Sequence, residues 1–177
     1  MWKVLLIPMI ALAQDASKRP EFSLGVGPLT YALGGSDVQV NLRFAGSRWL
    51  YGFKHVQFES TFRDPFTDRK LTKTRESMTG PTVTYIFRPD RGFSWMLGGS
   101  ISRWTKREES LITGEVGRDS TTAAFIGGGF TGVMGPHFYY RLGIFLAPGA
   151  HVKTSTSVSS EEDSGGIDAV LHLGIRF

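Results

Sequence analysis

Residues 167–177 read Ile167-Asp168-Ala169-Val170-Leu171-His172-Leu173-Gly174-Ile175-Arg176-Phe177. Ile167, Ala169, Leu171, Leu173, Ile175 and Phe177 fall on one phase of a two-residue period. Asp168, Val170, His172, Gly174 and Arg176 fall on the other. A helix repeats near 3.6 residues, so this stretch is a strand with one bulky apolar face and one polar or small face. Its length matches the ~9–11 residues with which a tilted strand crosses a bilayer. The alternation runs to Phe177, the last residue of the sequence.

The same period recurs upstream. In 37–45, Val38, Val40, Leu42 and Phe44 alternate with Gln39, Asn41 and Arg43. In 93–103, Phe93, Trp95, Leu97 and Ile101 alternate with Ser94, Met96, Ser100 and Ser102. Residues 138–150 place Phe138, Tyr140, Leu142, Ile144 and Leu146 together, and 80–88 place Val83, Tyr85 and Phe87 together. Residues 121–134 read as a strand whose facing is left open by Gly127-Gly128-Gly129. In 22–33, Gly27-Pro28 predicts a bulge. In 49–62, Trp49, Tyr51 and Phe53 share one phase while Val56, Phe58 and Phe62 share the other, which predicts a bulge near Lys54-His55.

Eight strands result, and their connections alternate in character. Gly46-Ser47-Arg48, Pro89-Asp90-Arg91-Gly92 and Gly135-Pro136-His137 are tight turns. The segments 63–79, 104–120 and 151–166 read as longer charged loops, with only Gly34-Gly35-Ser36 short on that side. Short turns at one end and long loops at the other are the asymmetry of an outer-membrane barrel, the short turns being periplasmic.

Alternation alone also suits a soluble sandwich or a ligand-binding barrel. The large apolar face decides against both, because an eight-strand lumen is barely wide enough for side chains. Stacking Trp95, Leu97, Leu142, Leu171 and Leu173 inside would overfill it. Aromatics also gather at strand ends: Trp49, Tyr51, Phe87, Phe93, Trp95, Phe138, Tyr140 and Phe177 at the short-turn end, Phe62 and Trp104 at the other. Amphipathic rings prefer the headgroup level of a bilayer.

The segment Leu171-His172-Leu173-Gly174-Ile175-Arg176-Phe177 resembles the C-terminal signature of bacterial outer-membrane β-barrel proteins. With the strand count, the chain resembles the eight-stranded OmpA/OmpX/OmpW-like superfamily over residues 20–177. The resemblance implies an all-β, up-and-down antiparallel transmembrane barrel in the outer membrane. It also implies that Leu171, Leu173, Ile175 and Phe177 are read by the barrel-assembly machinery.

The remaining sequence fits an exported chain. Its 177 residues are a prior for one domain. Lys3, the apolar run from Val4 to Ile10 and Ala11-Leu12-Ala13 read as a signal peptide over 1–13. Residues 14–20 then form a short periplasmic segment, and 21–177 the barrel. Cleavage takes the formal charge from +4 to +3, since Lys3 is the only charge removed. Cysteine is absent, so neither a disulfide framework nor a thiolate metal site is available. The basic residues do not form one block, so nucleic acid is not an expected partner.

The inward phase defines the candidate site. Arg43, Arg141, Asp168, His172 and Arg176 are expected to form a polar lumenal network, with Gln39, Asn41 and Arg88 and with Gln57 and Glu59 as further members. Buried charges occur paired, so a filled, charge-paired lumen is preferred over a conducting path. The expected role is structural or surface interaction, without catalysis or cofactor, in a monomer contacting membrane lipid and lipopolysaccharide. Arg63, Arg69, Lys70, Lys73 and Arg75 are the candidates for lipopolysaccharide phosphates.

Two alternatives are a lipid A-modifying enzyme and a small-solute channel. His55, His137, His151 and His172 show no metal-ligand spacing. His151 precedes Ser155, Ser157, Ser159 and Glu161, a set from which a Ser–His–acid group could form. In the eight-stranded lipid A deacylases a lipid-facing His is followed two residues later by Ser. Here that position is Lys153, and His151 is expected inward.

Overall fold

The computed structural model describes residues 20–156 and 160–177. The segment expected as a signal peptide, 1–13, and all but the last residue of 14–20 lie outside the described residues. Strands β1 (Glu21–Val26), β2 (Ser36–Arg43), β3 (Trp49–Arg63), β4 (Lys70–Ile86), β5 (Ser94–Ser110), β6 (Val116–Met134), β7 (Phe138–Ser155) and β8 (Ser160–Arg176) follow in chain order. Each pairs antiparallel with its neighbours in sequence, and β8 pairs back onto β1 from Ser23↔Arg176 to Val26↔Leu173. The sheet is a closed eight-stranded barrel.

The wall is apolar outside. Trp95, Leu97, Ile101, Ile126, Ile144 and Ile167 are all more than half exposed. Leu142 and Leu173 point the same way, while Asp37, Gln39, Asn41, Arg141, Asp168 and His172 are buried inside. Closure leaves the ring without a free sheet edge, which is what hydrocarbon demands of a spanning sheet. The short-turn end carries an aromatic girdle: Trp49 against Tyr85 at 5.0 Å, Tyr85 against Phe87 at 5.2 Å, and Trp95 against Phe130 at 4.1 Å. Two of the tight connections turn on Gly46 and Gly135, whose φ values of 77° and 76° disfavour a side chain.

Several local expectations are corrected. β1 ends at Val26, and Pro28 opens a short helix, α1 (Pro28–Ala32), rather than marking a bulge in a longer strand. Pro has a fixed φ suited to a first helical turn. β3 has no bulge at Lys54-His55. Its register runs unbroken against β2 through Gln39↔Lys54 and Val38↔His55, and shifts against β4 only between Phe62 and Arg63. The two apolar phases of β3 arise because its inward face also carries apolar side chains. Trp49 and Phe53 face outward, whereas Leu50 and Val56 are buried inside with Lys54 between them. Trp104 is likewise in the lumen, buried, and not in an interfacial girdle.

The segments expected as long loops are mostly strand. Glu59↔Arg75, Lys106↔Asp119 and Lys153↔Glu162 continue the ladders well past the apolar belt. Both faces are polar there, so hydrophobic alternation could not reveal them. A second register shift lies in β7, between Ala147 and His151. It reverses the facing of the strand beyond it. β6 and β7 approach closely over the glycine run, where a Cβ at Gly127 or Gly129 would strike the carbonyls of Ile144 and Leu142.

Candidate functional site

The lumen is held by ionic groups at three levels. In the middle, the Lys54 ammonium of β3 meets the Asp168 carboxylate of β8, both side chains at most 5% exposed. The Lys54 ammonium also lies 5.3 Å from the centroid of the Phe125 ring. Arg141 of β7 donates to Gln39 Oε1 at 2.8 Å, and Gln39 donates onward to Thr82 Oγ1 at 3.0 Å. His172 Nε2 lies 2.7 Å from Asp37 Oδ2, across the barrel seam. Among these groups a cavity of about 20 Å³, lined by Gln39, Lys54, Thr82, Arg141 and Asp168, has room for one water-sized molecule.

Towards the long-strand end, Lys106 is fully buried, 2.6 Å from Asp163 and 3.8 Å from Glu76. Glu76 also accepts from the Trp104 indole at 3.3 Å, and Glu108 accepts from Thr154 Oγ1 at 2.9 Å. At the short-turn mouth, Arg43 reaches Glu21 at 2.7 Å and Asp90 at 2.8 Å. Arg176 stands 3.6 Å from each of the same two carboxylates and donates to the Pro136 carbonyl at 2.9 Å. The hydrogen bond from Arg43 holds the Asp90 carboxyl in the turn below its ordinary range.

Thus Arg141, Asp168 and His172 are mid-lumen groups, while Arg43 and Arg176 form a separate cluster at the mouth. Arg88 is exposed in the turn, where its backbone N–H donates to Ser94 Oγ at 2.8 Å. Gln57 and Glu59 are on the outward face of β3, and Glu59 pairs there with Lys73 at 2.7 Å and Arg75 at 2.8 Å. Leu171, Leu173, Ile175 and Phe177 share the outward side of β8, and the Phe177 amide donates to the Phe22 carbonyl at 2.8 Å.

Sequence reasoning did not assign Lys54, Asp37 or Lys106 to the lumen. Asp37 was in phase with Gln39 and Asn41. Lys106 continued the phase of Ser102 and Trp104. Lys54 was hidden by the two apolar phases around it. Glycine makes room for what is large: Gly25 and Gly174, directly paired, form the notch into which the buried Tyr139 ring fits.

His151 is exposed on the outer face, contrary to the inward expectation, because the β7 bulge shifts its phase. It sits opposite Ser164 in the ladder, but among the described residues no hydrogen bond joins it to a serine or a carboxylate. Lys153 lies 3.6 Å from Glu162. Ser157 and Ser159 lie outside the described residues. No cluster of metal-ligating side chains occurs among the described residues.

A closed eight-stranded antiparallel ring, apolar outside and ion-paired inside, is the architecture of the small outer-membrane barrels. The N-terminal β-barrel domain of Pseudomonas aeruginosa OprF has the same fold, with a TM-score of 0.54 and 12% identity over 90% of this chain and 98% of that one. Ail, the attachment invasion locus protein of Yersinia pestis, gives a TM-score of 0.52 and 14% identity over 90% of this chain and 99% of its own. Its structure in complex with the heparin analogue sucrose octasulfate gives the same values. No protein-family model and no curated protein matches the chain.

Proposed function

We propose that the chain is a closed, non-catalytic barrel of a bacterial outer membrane that presents its strand-extended hairpins at the cell surface. The observation that carries this reading is the inverted distribution of polarity. Large apolar side chains cover the outside, and charges sit inside in pairs. Lipid is the solvent in which that arrangement is stable, since buried charges need partners and exposed Leu and Ile need apolar neighbours.

In this reading the short turns are periplasmic and the hairpins above the belt are extracellular. Leu171, Leu173, Ile175 and Phe177 present a continuous apolar edge to the barrel-assembly machinery, and residues 1–13 direct export. The protein acts as a monomer in contact with lipid and lipopolysaccharide. Ail was solved with a sulfated saccharide analogue, which supports a surface-interaction role for a barrel of this shape.

The test is membrane fractionation with gel mobility before and after boiling, followed by planar-bilayer recording. The expected result is a membrane-bound species whose folded form migrates differently from the boiled one, and a silent bilayer. Recovery in the aqueous fraction without detergent overturns the location. Discrete conductance steps overturn the closed lumen, and altered lipid A masses on overexpression overturn the non-catalytic reading.

A further inference from the structure

Above the apolar belt, the outward faces of β4, β5 and β6 carry a grid of side chains in direct register. Arg75 pairs with Arg107, and Arg107 with Arg118. The row below is Ser77, Thr105 and Ser120, and the row below that is Thr79, Arg103 and Thr122. The next residues down are apolar: Pro81, Ile101 and Ala124.

Three arginines directly opposite one another on adjacent strands repel, with backbones only ~5 Å apart. A sheet places them so only at a cost, unless an anion lies against them. The neighbouring acids do not supply one for the whole row. Glu59 is shared between Lys73 and Arg75, and Glu109 stands 3.8 Å from Arg107. Asp119, next to Arg118, turns away to accept from the Ser120 and Lys153 amides. Arg118 has no ion pair among the described residues. The hydroxyl row is short-chained, so it leaves a floor onto which guanidinium groups from above and from Arg103 below can converge.

The height of the grid is also specific. From Phe93 in the aromatic girdle to Arg103 the outward face climbs about 25 Å at the usual strand rise and barrel tilt, the height of an outer-membrane apolar band. Arg103 therefore stands at the hydrocarbon edge, and the arginine row about 10 Å above it, in the headgroup layer.

We propose that the Arg75–Arg107–Arg118 row, with Arg103 and the hydroxyls between, is a binding pad for the phosphates of a phosphorylated saccharide lipid headgroup in the outer leaflet. Guanidinium groups take phosphate oxygens bidentately, and the hydroxyls donate to the remaining ones. The proposal rests on the membrane reading above and deepens it, moving the contact from the 63–79 segment to a face shared by β4, β5 and β6, with Arg75 common to both.

The barrel is reconstituted in phosphatidylcholine vesicles, alone or with bisphosphorylated lipid A, or with the same lipid enzymatically stripped of phosphate. Thermal unfolding is followed for the natural chain, for R75Q/R107Q/R118Q and for the charge-matched control R48Q/R88Q/R91Q. The expected result is an unfolding temperature raised by bisphosphorylated lipid A only. That shift is kept in the control and lost in the pad variant. Equal shifts with the dephosphorylated lipid, or a shift retained in the pad variant, overturn the pad. If the pad variant does not fold, R118Q alone is used, and an unchanged shift there overturns it equally. Glucose 1-phosphate is the soluble arm; stabilisation by it matching that by the lipid overturns the lipid source. Failure of the natural chain to enter vesicles strikes the membrane reading itself, whereas an inserted barrel indifferent to phosphate strikes only the pad.

Discussion

Asp168→Asn and Lys54→Met remove opposite halves of one buried ion pair, and their costs should differ. Breaking a buried pair from one side costs about 3–5 kcal/mol, because the remaining charge has lost its counter-ion away from water. Asp168→Asn leaves two cations in the same small cavity, Lys54 and Arg141, with Gln39 and Thr82 as the neutral groups around them. The full cost is expected, about 3–5 kcal/mol. Lys54→Met leaves Asp168 in the same cavity lining as Arg141, whose guanidinium donates to the neutral Gln39. Arg141 is then the cation nearest to hand in that cavity, so the cost is expected at about 1–2 kcal/mol, in the range of a perturbed buried hydrogen bond. The assay is reversible urea unfolding in lipid vesicles, followed by tryptophan fluorescence, with the double variant Lys54→Met/Asp168→Asn closing the cycle. The double variant should be more stable than Asp168→Asn alone, since the Lys54 charge that the single variant strands is then removed. A Lys54→Met cost equal to or above that of Asp168→Asn refutes the reasoning.

Three further outcomes follow from the same geometry. Gly129→Ala, whose Cβ would meet the Leu142 carbonyl, should cost about 1–3 kcal/mol in urea unfolding, whereas Gly149→Ala, with nothing within 4 Å, should stay near neutral; similar costs contradict the close approach of β6 and β7. Brominated lipids should quench Trp49 and Trp95 emission and spare Trp104 in a W2F/W49F/W95F variant, because Trp104 is 5% exposed; strong quenching of that variant would place its indole in lipid. The Asp90 carboxyl sits below its unfolded value when folded, so its contribution is present at neutral pH and fades as pH falls through the ordinary carboxylate range near ~4 and the lower folded value. Asp90→Asn should therefore flatten the acid side of a stability-against-pH profile, and an unchanged profile would show that the Arg43 contact is not formed.

The belt was legible because lipid enforces a strict two-residue period on one face, as in Val38, Val40 and Leu42 or Leu171, Leu173 and Ile175. Legibility failed where that pressure is absent. Above the belt both faces of the wall are wet or polar, so the strand character of 70–79 or 104–110 leaves no hydrophobic trace. It also failed where the two faces are alike: Val56 and Leu50 inside β3 look like Phe53 and Trp49 outside it. The phase of His151 depended on the register shift at Pro148-Gly149, which proline and glycine hint at without fixing its direction. Pairing was the least legible quantity, since Lys54 and Asp168, or Asp37 and His172, meet only through the global ring.

Those pairings span most of the polypeptide: 114 residues separate Lys54 from Asp168, and 135 separate Asp37 from His172. A half-inserted chain would hold each of these polar groups at bilayer depth with its counterpart still elsewhere. No stepwise strand-by-strand entry escapes that penalty, so translocation of the wall and neutralisation of its interior have to happen as one event, completed when the first and last strands meet.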